Sequence, residues 1–556
     1  MKKPIQRKGW LVLTLGLLLV ALSGYAQVSM NSIYLVPNGT TIADVLGIYP
    51  LRGDIYRAVL KLPENGTVRG IVLADISAAT GAILSATRLE PRTDVELSDL
   101  FRLDDGTWIL SGRLTSRLGQ PGFMARLSAD LSTILWSRFY HVPGDTSYPT
   151  LLASNGRTVR VSARELVVLQ TSGVVGTWVA RIDLSTGNVL ACYKIRGLED
   201  GNILTNWNNT CVTVRWSQDD GRNLVVDSVG IDPRVGENRA IILAGITRTL
   251  RFQLACLPAE VDRDWLVLSL SLANGQIRWA KVLDSGYYEQ YAHAVFRVFD
   301  GEVFYQYWVV GRALGAPYWG QVMKLSQAGN LIENTLFGSL STSAREMLYP
   351  AFGISTADGG WLLTGYSSSY ASEYIDGILL KTDSQLRPVW MIRRNAHGVE
   401  HRGKVVAETQ NYYVVAQSAG MALPPFGARQ HWSLWHVPKG LATVSPCEVE
   451  TFPVGSTTNT PRTLDLTAAF SSEPMRMTAE GVTESLFSWN AARVSAEPAC
   501  CPAADVTGDC CVDDADLLAV LMAYGTTGVS VADINEDFVV DDNDILLVLL
   551  QFSTCG

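Results

Sequence analysis

A strand–turn–strand element recurs along most of this chain, and its spacing limits the available folds more than any other feature. Seven copies can be read: Gly70–Leu89, Gly122–Tyr140, Thr177–Ile195, Asp264–Val282, Gly320–Phe337, Asp376–Arg393 and His431–Val444. Each joins two short runs rich in β-branched and aromatic residues through a tight turn. With the turn residue taken as Gly81, Ser132, Gly187, Gly275, Gly329, Leu386 and Gly440, successive copies stand 51, 55, 88, 54, 57 and 54 residues apart. Extra chain near Ser217–Leu254 accounts for the long interval, either as an insertion in the third or fourth unit or as an additional degenerate unit.

A second element follows each turn: a polar or glycine corner, then a strand rich in Val, Leu, Trp and Tyr. Asp105-Gly106-Thr107-Trp108-Ile109-Leu110 and Asp358-Gly359-Gly360-Trp361-Leu362-Leu363 are its clearest copies. Two hairpin-type elements per period make about four strands. That is what a β-propeller blade needs, because each twisted four-stranded sheet hides its faces against its neighbours. A β-solenoid or a row of sandwiches is the competing arrangement, and neither calls for a hairpin period in the fifties. The stretch Asp358–Ala419, with Gly365-Tyr366 closing one strand and Asp376-Gly377-Ile378-Leu379-Leu380-Lys381 forming another, resembles the blades of bacterial secreted propeller proteins. Extended over Tyr56–Trp489, the resemblance implies a mainly β fold with a β-propeller of about seven blades. The composition suits it, with 48 glycines and only 18% charged residues. Between Ser445 and Pro498 the pattern loosens into Ser, Thr and Pro; this segment is expected to bring closing strands toward Val28–Val59 and then to act as a linker.

The chain opens with Lys2, Lys3, Arg7 and Lys8, an apolar run from Leu11 to Leu22, and then Ser23-Gly24-Tyr25-Ala26-Gln27. Gly24 and Ala26 occupy the −3 and −1 positions of a cut before Gln27, which reads as a secretory signal peptide. Export to the periplasm, cell surface or medium is therefore expected, with no membrane span once the signal is removed. The formal net charge of −9 disfavours nucleic acid as a partner. The reading divides the chain into a signal peptide (1–26), the β-propeller with closing strands and linker (27–490) and a tail (499–556).

The tail carries the clearest chemistry. From Asp505 the chain reads DVTGDCCVDDADLLAVLMAYG and from Asp533 DINEDFVVDDNDILLVLLQFS, two copies offset by 28 residues. Calcium wants six to eight oxygen ligands, and a twelve-residue loop supplies them from positions 1, 3, 5, 7, 9 and 12. The first loop offers Asp505, Thr507, Asp509, the Cys511 carbonyl, Asp513 and Asp516; the second offers Asp533, Asn535, Asp537, the Val539 carbonyl, Asp541 and Asp544. Each runs into an amphipathic helix, Leu517–Tyr524 or Ile545–Phe552, and Val512 and Val540 at position 8 would let the loops pair. An acidic surface helix is the bland alternative, but it has no reason to repeat the register.

Asp at position 12 and a single helix per loop resemble type I dockerins, small α-helical modules of EF-hand-type loop–helix units. The resemblance implies two bound calcium ions (Ca2+) and a protein partner docked by the tail. Cys510 and Phe538 replace the usual position-6 Gly, which should weaken both sites. Asp514-Ala515 and Asp542-Asn543 stand where dockerins carry the hydroxyl pair that contacts cohesin, which argues against cohesin as that partner. Cys500 or Cys501 could clasp Cys555 across the ends of the tail, with Cys510 and Cys511 as rival partners.

Catalytic strings are sparse. His397-Gly398-Val399-Glu400-His401 matches a metallopeptidase string, but its ligands would need a helix, and the segment reads as a loop after Val389–Arg393. Ser128–Thr133 with Trp136 resembles a sialidase Asp-box turn without its Gly. The sequence therefore favours an exported, non-enzymatic β-propeller that binds a glycan or protein ligand and is docked or surface-attached through a calcium-binding tail. A polysaccharide-active propeller enzyme, glycoside hydrolase or lyase, is the alternative left open.

Overall fold

The computed structural model describes residues 31–37, 42–63 and, with gaps, 69–141, 157–498 and 504–553. The signal-peptide reading, residues 217–224 and 229–239 of the insertion, and Cys500, Cys501, Cys510, Cys511 and Cys555 lie outside the described residues. The fold is mainly β, with two short helices near the C-terminus. No helix among the described residues is long and apolar enough to cross a membrane.

The strands form six hydrogen-bonded sheets, the largest of which is two groups joined by a single parallel residue pair, Arg263 with Glu289. Seven strand groups result, and each regular one is an antiparallel meander of four. The first contains Asp44–Pro50, Ile55–Lys61, Ile71–Ser77 and Ile83–Pro91; the second, Val95–Arg102, Trp108–Leu114, Gly122–Leu127 and Ile134–His141. The third runs from Arg157–Ser162 to Val189–Arg196, the fifth from Glu289–Asp300 to Leu331–Ser339, and the sixth from Glu346–Ser355 to Pro388–Arg394.

The recurring element of the sequence is the hairpin between the third and fourth strands. Its turn places one residue in the left-handed region: Gly81, Leu131, Gly187, Gly275, Gly329 and Leu386, with φ between 67° and 76°. The residue in the second copy is thus Leu131, not Ser132. Each of these six hairpins carries a register shift at the end of its third strand, such as Asp75/Ile76 and Lys324/Leu325, where the extra turn residue forms a bulge. Glycine is required at several turns by a neighbour as well as by φ. A β-carbon at Gly187 would come within 2.7 Å of the Trp136 ring, and one at Gly329 within 2.6 Å of Trp279, each an aromatic from the preceding sheet.

The long third interval is an extension of one hairpin. Ala240–Gln253 and Leu257–Ser271 are 14 and 15 residues long. One end of the pair lies between Val225–Ser228 and Ile277–Asp284, as in a regular meander, and the other end carries the added hairpin Ile203–Trp207/Thr210–Trp216. The insertion therefore belongs to the fourth sheet.

The seventh copy departs from its reading as a hairpin of contiguous chain. Val399–Glu408, Tyr412–Met421 and Gln430–Pro438 supply three strands, and the fourth is the first described strand of the chain, Asn31–Pro37, paired Asn31 to His436 through Tyr34 to Ser433. Hydrophobic clusters join the first sheet to the second, the second to the third, the fourth through the sixth, the sixth to the seventh, and the seventh back to the first. Between the third and fourth, the Gly275 turn lies against the Tyr193 ring, and Val225–Ser228 runs beside Arg157–Ser162.

Residues 449–498 do more than close one sheet. They form seven short strands, and each adds antiparallel to the fourth strand of a different sheet: Val449–Thr451 to the sixth, Val454–Asn459 to the fifth, Arg462–Asp465 to the fourth, Ser471–Pro474 to the third, Thr478–Gly481 to the second, Phe487–Ala491 to the first and Val494–Pro498 to the seventh. For the first six sheets the order is the reverse of that in which the chain laid them down, and the seventh, joined through Asn31–Pro37, comes last. The expected meeting of Val28–Val59 with this segment occurs at Asn31–Pro37, which pairs with Val494–Pro498.

Candidate metal centre

Both tail loops end in a helix start built by the same device. The helices span Asp514–Ala523 and Asp542–Gln551, beginning three residues before their apolar runs because Asp513 and Asp541 act as N-caps. The Asp513 carboxylate accepts from the Ala515 amide at 2.8 Å and that of Asp541 from the Asn543 amide at 2.7 Å. In return, Asp516 accepts from the Asp513 amide at 2.9 Å and Asp544 from the Asp541 amide at 2.8 Å. This is a reciprocal capping box with Asp in the place of Glu. Its signal, an acidic residue three positions after an acidic N-cap, is present twice in the sequence.

Asp516 and Asp544 also reach back across their loops. Asp516 accepts from the Thr507 amide at 2.8 Å, and Asp544 from the Ile534 and Asn535 amides at 2.7 and 3.1 Å. Position 12 of each loop is thereby tied to position 3, which holds the two ends of each candidate loop together. Both carboxylates are buried. Burial raises the Asp516 pKa, but amide hydrogen bonds from Asp513 and Thr507 outweigh it and hold the carboxyl below its ordinary range. Asp533 is buried, Asp505 half-buried with its Oδ1 3.3 Å from the Thr507 hydroxyl, and Thr507, Asn535, Asp513 and Val539 are exposed. Asp509, Cys511 and Asp537 lie outside the described residues, and among those described no group of three or more acidic, His or Cys side chains converges at metal-holding distance. The donor set consists of carboxylate, hydroxyl, amide and carbonyl oxygens, which fits a hard cation such as calcium and not a thiolate-seeking one.

Val512 and Val540 at position 8 hold the two halves together, each through the residues just beyond the other helix. The Gly525 amide donates to the Val540 carbonyl at 2.8 Å and the Val540 amide to the Thr526 carbonyl at 3.0 Å; in the other half the Ser553 amide donates to the Val512 carbonyl at 2.7 Å. Gly525 and Ser553 are 28 residues apart, as are Val512 and Val540, so each loop is fastened to the residue just beyond the other helix. The arrangement follows from burial: Val512, Val520, Val540 and Val548 share one small core with Ala504, Ala532 and Ile534, and that core draws each loop under the opposite helix end. One link is unsymmetrical, a 2.8 Å hydrogen bond from the Tyr524 hydroxyl to Asp542, since Phe552 occupies the equivalent place.

The outer face of each helix is apolar as well. Leu518, Leu521 and Met522 are at least half exposed, as are their counterparts Leu546, Leu549 and Leu550. From Asp505 to Gly556 there is no Lys, Arg or His to balance the carboxylates.

The other sequence candidates find structural places. Val399-Glu400-His401 begins a strand, with His401 opposite Ala419, and so lies neither on a helix nor wholly in a loop. Asp130 accepts from the Ser128 and Ser132 hydroxyls, which lower its pKa to about 2, and Trp136 donates to the Leu184 carbonyl of the next sheet at 2.8 Å. No family model matches this chain, and no curated protein matches it.

Proposed function

We propose that this chain is an exported binding protein whose body is a seven-bladed β-propeller and whose tail is a dockerin-like, calcium-binding docking module. The body reading rests above all on Asn31–Pro37, which completes the last sheet while that sheet packs against the first. Joining the two ends of a cyclic array within one sheet is the closure a propeller requires. Also in its favour, Asp44–Pro50, which starts the first sheet, neighbours both Val95–Arg102 and Val399–Glu408, the starts of the second and seventh. Imaging of the full chain by electron microscopy tests it: a ring with sevenfold pseudo-symmetry is expected, and an open or elongated body overturns it.

For the tail, the supporting observation is that position 12 closes on position 3 in both halves through the same carboxylate. Repulsion among the remaining carboxylates favours a cation between them. The exposed leucines of the two helices supply an apolar surface for a protein partner. Calorimetric titration of the full chain with calcium chloride is expected to show two ions bound; no heat at millimolar calcium overturns the tail reading and leaves the body reading untouched.

A further inference from the structure

The clusters that join one sheet to the next are built chiefly from the meander strands. Of the side chains described in residues 449–498, Met477, Leu486 and Phe487 are buried, and Met475, Ala479, Val482, Trp489 and Ala492 pack against the clusters of the first three sheets and the seventh. Thr463 and Asp465, farther upstream, are exposed. What the segment contributes at every sheet is backbone pairing along one edge, in strands of three to six residues. Trp108, Trp178, Trp265 and Trp435 are fully buried among the four meander strands.

We propose that residues 449–498 form a separable strap, laid along the outer edges of the sheets, whose release precedes and gates the unfolding of the body. Three observations carry this. The strap visits all seven sheets in unbroken sequence, so it can be laid down or peeled from one end without threading. Its pairings are the outermost of every sheet, where hydrogen bonds exchange readily with water. Its final strand covers Asn31–Pro37, the strand that joins the two ends of the chain in the seventh sheet. A strap of this kind protects seven sheet edges from other chains and puts the barrier to opening at the rim of the sheets. The proposal stands on the strand pairings alone and does not depend on calcium or on a ligand.

A protease recognition sequence placed between Gly440 and Val449 of the full-length protein allows strap and tail to be cut from the body without deleting residues. The cut protein is expected to elute as one species in buffer. In rising urea the strap fragment should leave before the body loses its tryptophan fluorescence signal, and the stripped body should then unfold at least tenfold faster than the uncut chain. Loss of strap and body in one transition, or a stripped body that unfolds at the uncut rate, overturns the proposal. A second variant needs no cut: His141→Cys with Thr478→Cys joins residues that face each other across the strap pairing in the second sheet. Oxidation of that pair is expected to slow unfolding of the full chain at least tenfold relative to its reduced form, and unchanged kinetics overturn the gating role.

Discussion

The hydroxyl of Tyr56 lies 2.8 Å from Nε2 of His436 in a fully buried contact that links the first sheet to the seventh. Burial pushes the His436 pKa down to about 3, whereas an unfolded chain holds histidine near 6.5. Between these values the unfolded state binds the extra proton. The contribution to stability is therefore complete above about pH 6.5 and declines as pH falls toward 3, by at most about 1.4 kcal/mol per pH unit. Calorimetric melts are expected to show a midpoint that drops between pH 7 and 5, and a smaller drop in His436→Gln. Equal drops in the two proteins would remove His436 from the account.

Gly329→Ala is expected to destabilise the body by roughly 1–3 kcal/mol, through a positive φ and a β-carbon 2.6 Å from Trp279. Leu386→Gly should also destabilise, despite relieving a left-handed leucine. The Leu386 side chain is 1% exposed, and removing it forfeits about 2–3 kcal/mol of burial against about 1 kcal/mol of backbone relief. Urea unfolding of both variants checks the signs.

Ser553 holds a φ of 64° at the place where the other half of the tail has Gly525 at 78°. Ser553→Gly is expected to stabilise the tail by about 0.5–1 kcal/mol, and Gly525→Ala to destabilise it by a similar amount. Hydrogen exchange of the two helices in the full chain reads both effects, and slower exchange in Gly525→Ala would contradict the equivalence.

Calcium affinity is expected on the order of 10⁻⁵–10⁻³ M, since Cys510 and Phe538 stand where a glycine normally makes the loop's sharp turn. Asp505→Ala with Asp533→Ala should abolish the calorimetric response while leaving the body's melting unchanged. Tyr524→Phe should weaken one site only, because Asp542 belongs to the second loop.

Locally encoded features were legible in the residues. Six hairpins lie where glycine or leucine turns interrupt alternating apolar runs, because a left-handed residue and a two-residue side-chain period are set by the chain itself. The 28-residue repeat of the tail was equally plain, as were its helices to within three residues. Partner choice between distant segments was a different matter. The strands of 449–498 are too short to show a period, and each is defined by the unpaired sheet edge it meets, not by its own pattern. The seventh hairpin looked contiguous at His431–Val444, yet its fourth strand comes from Asn31–Pro37, since only the assembled sheets determine which edge the N-terminal strand can reach. In the tail, the twelve candidate ligand positions follow from the register of the carboxylates, whereas the fastening of Val512 to Ser553 and of Val540 to Gly525 arises when two half-modules bury their valines in one core. The sequence alone thus determined the repeating units and their turns; the pairing of remote edges and the crossing of the two loops were decided by tertiary packing, because backbone hydrogen bonds carry no residue identity until burial brings the segments together.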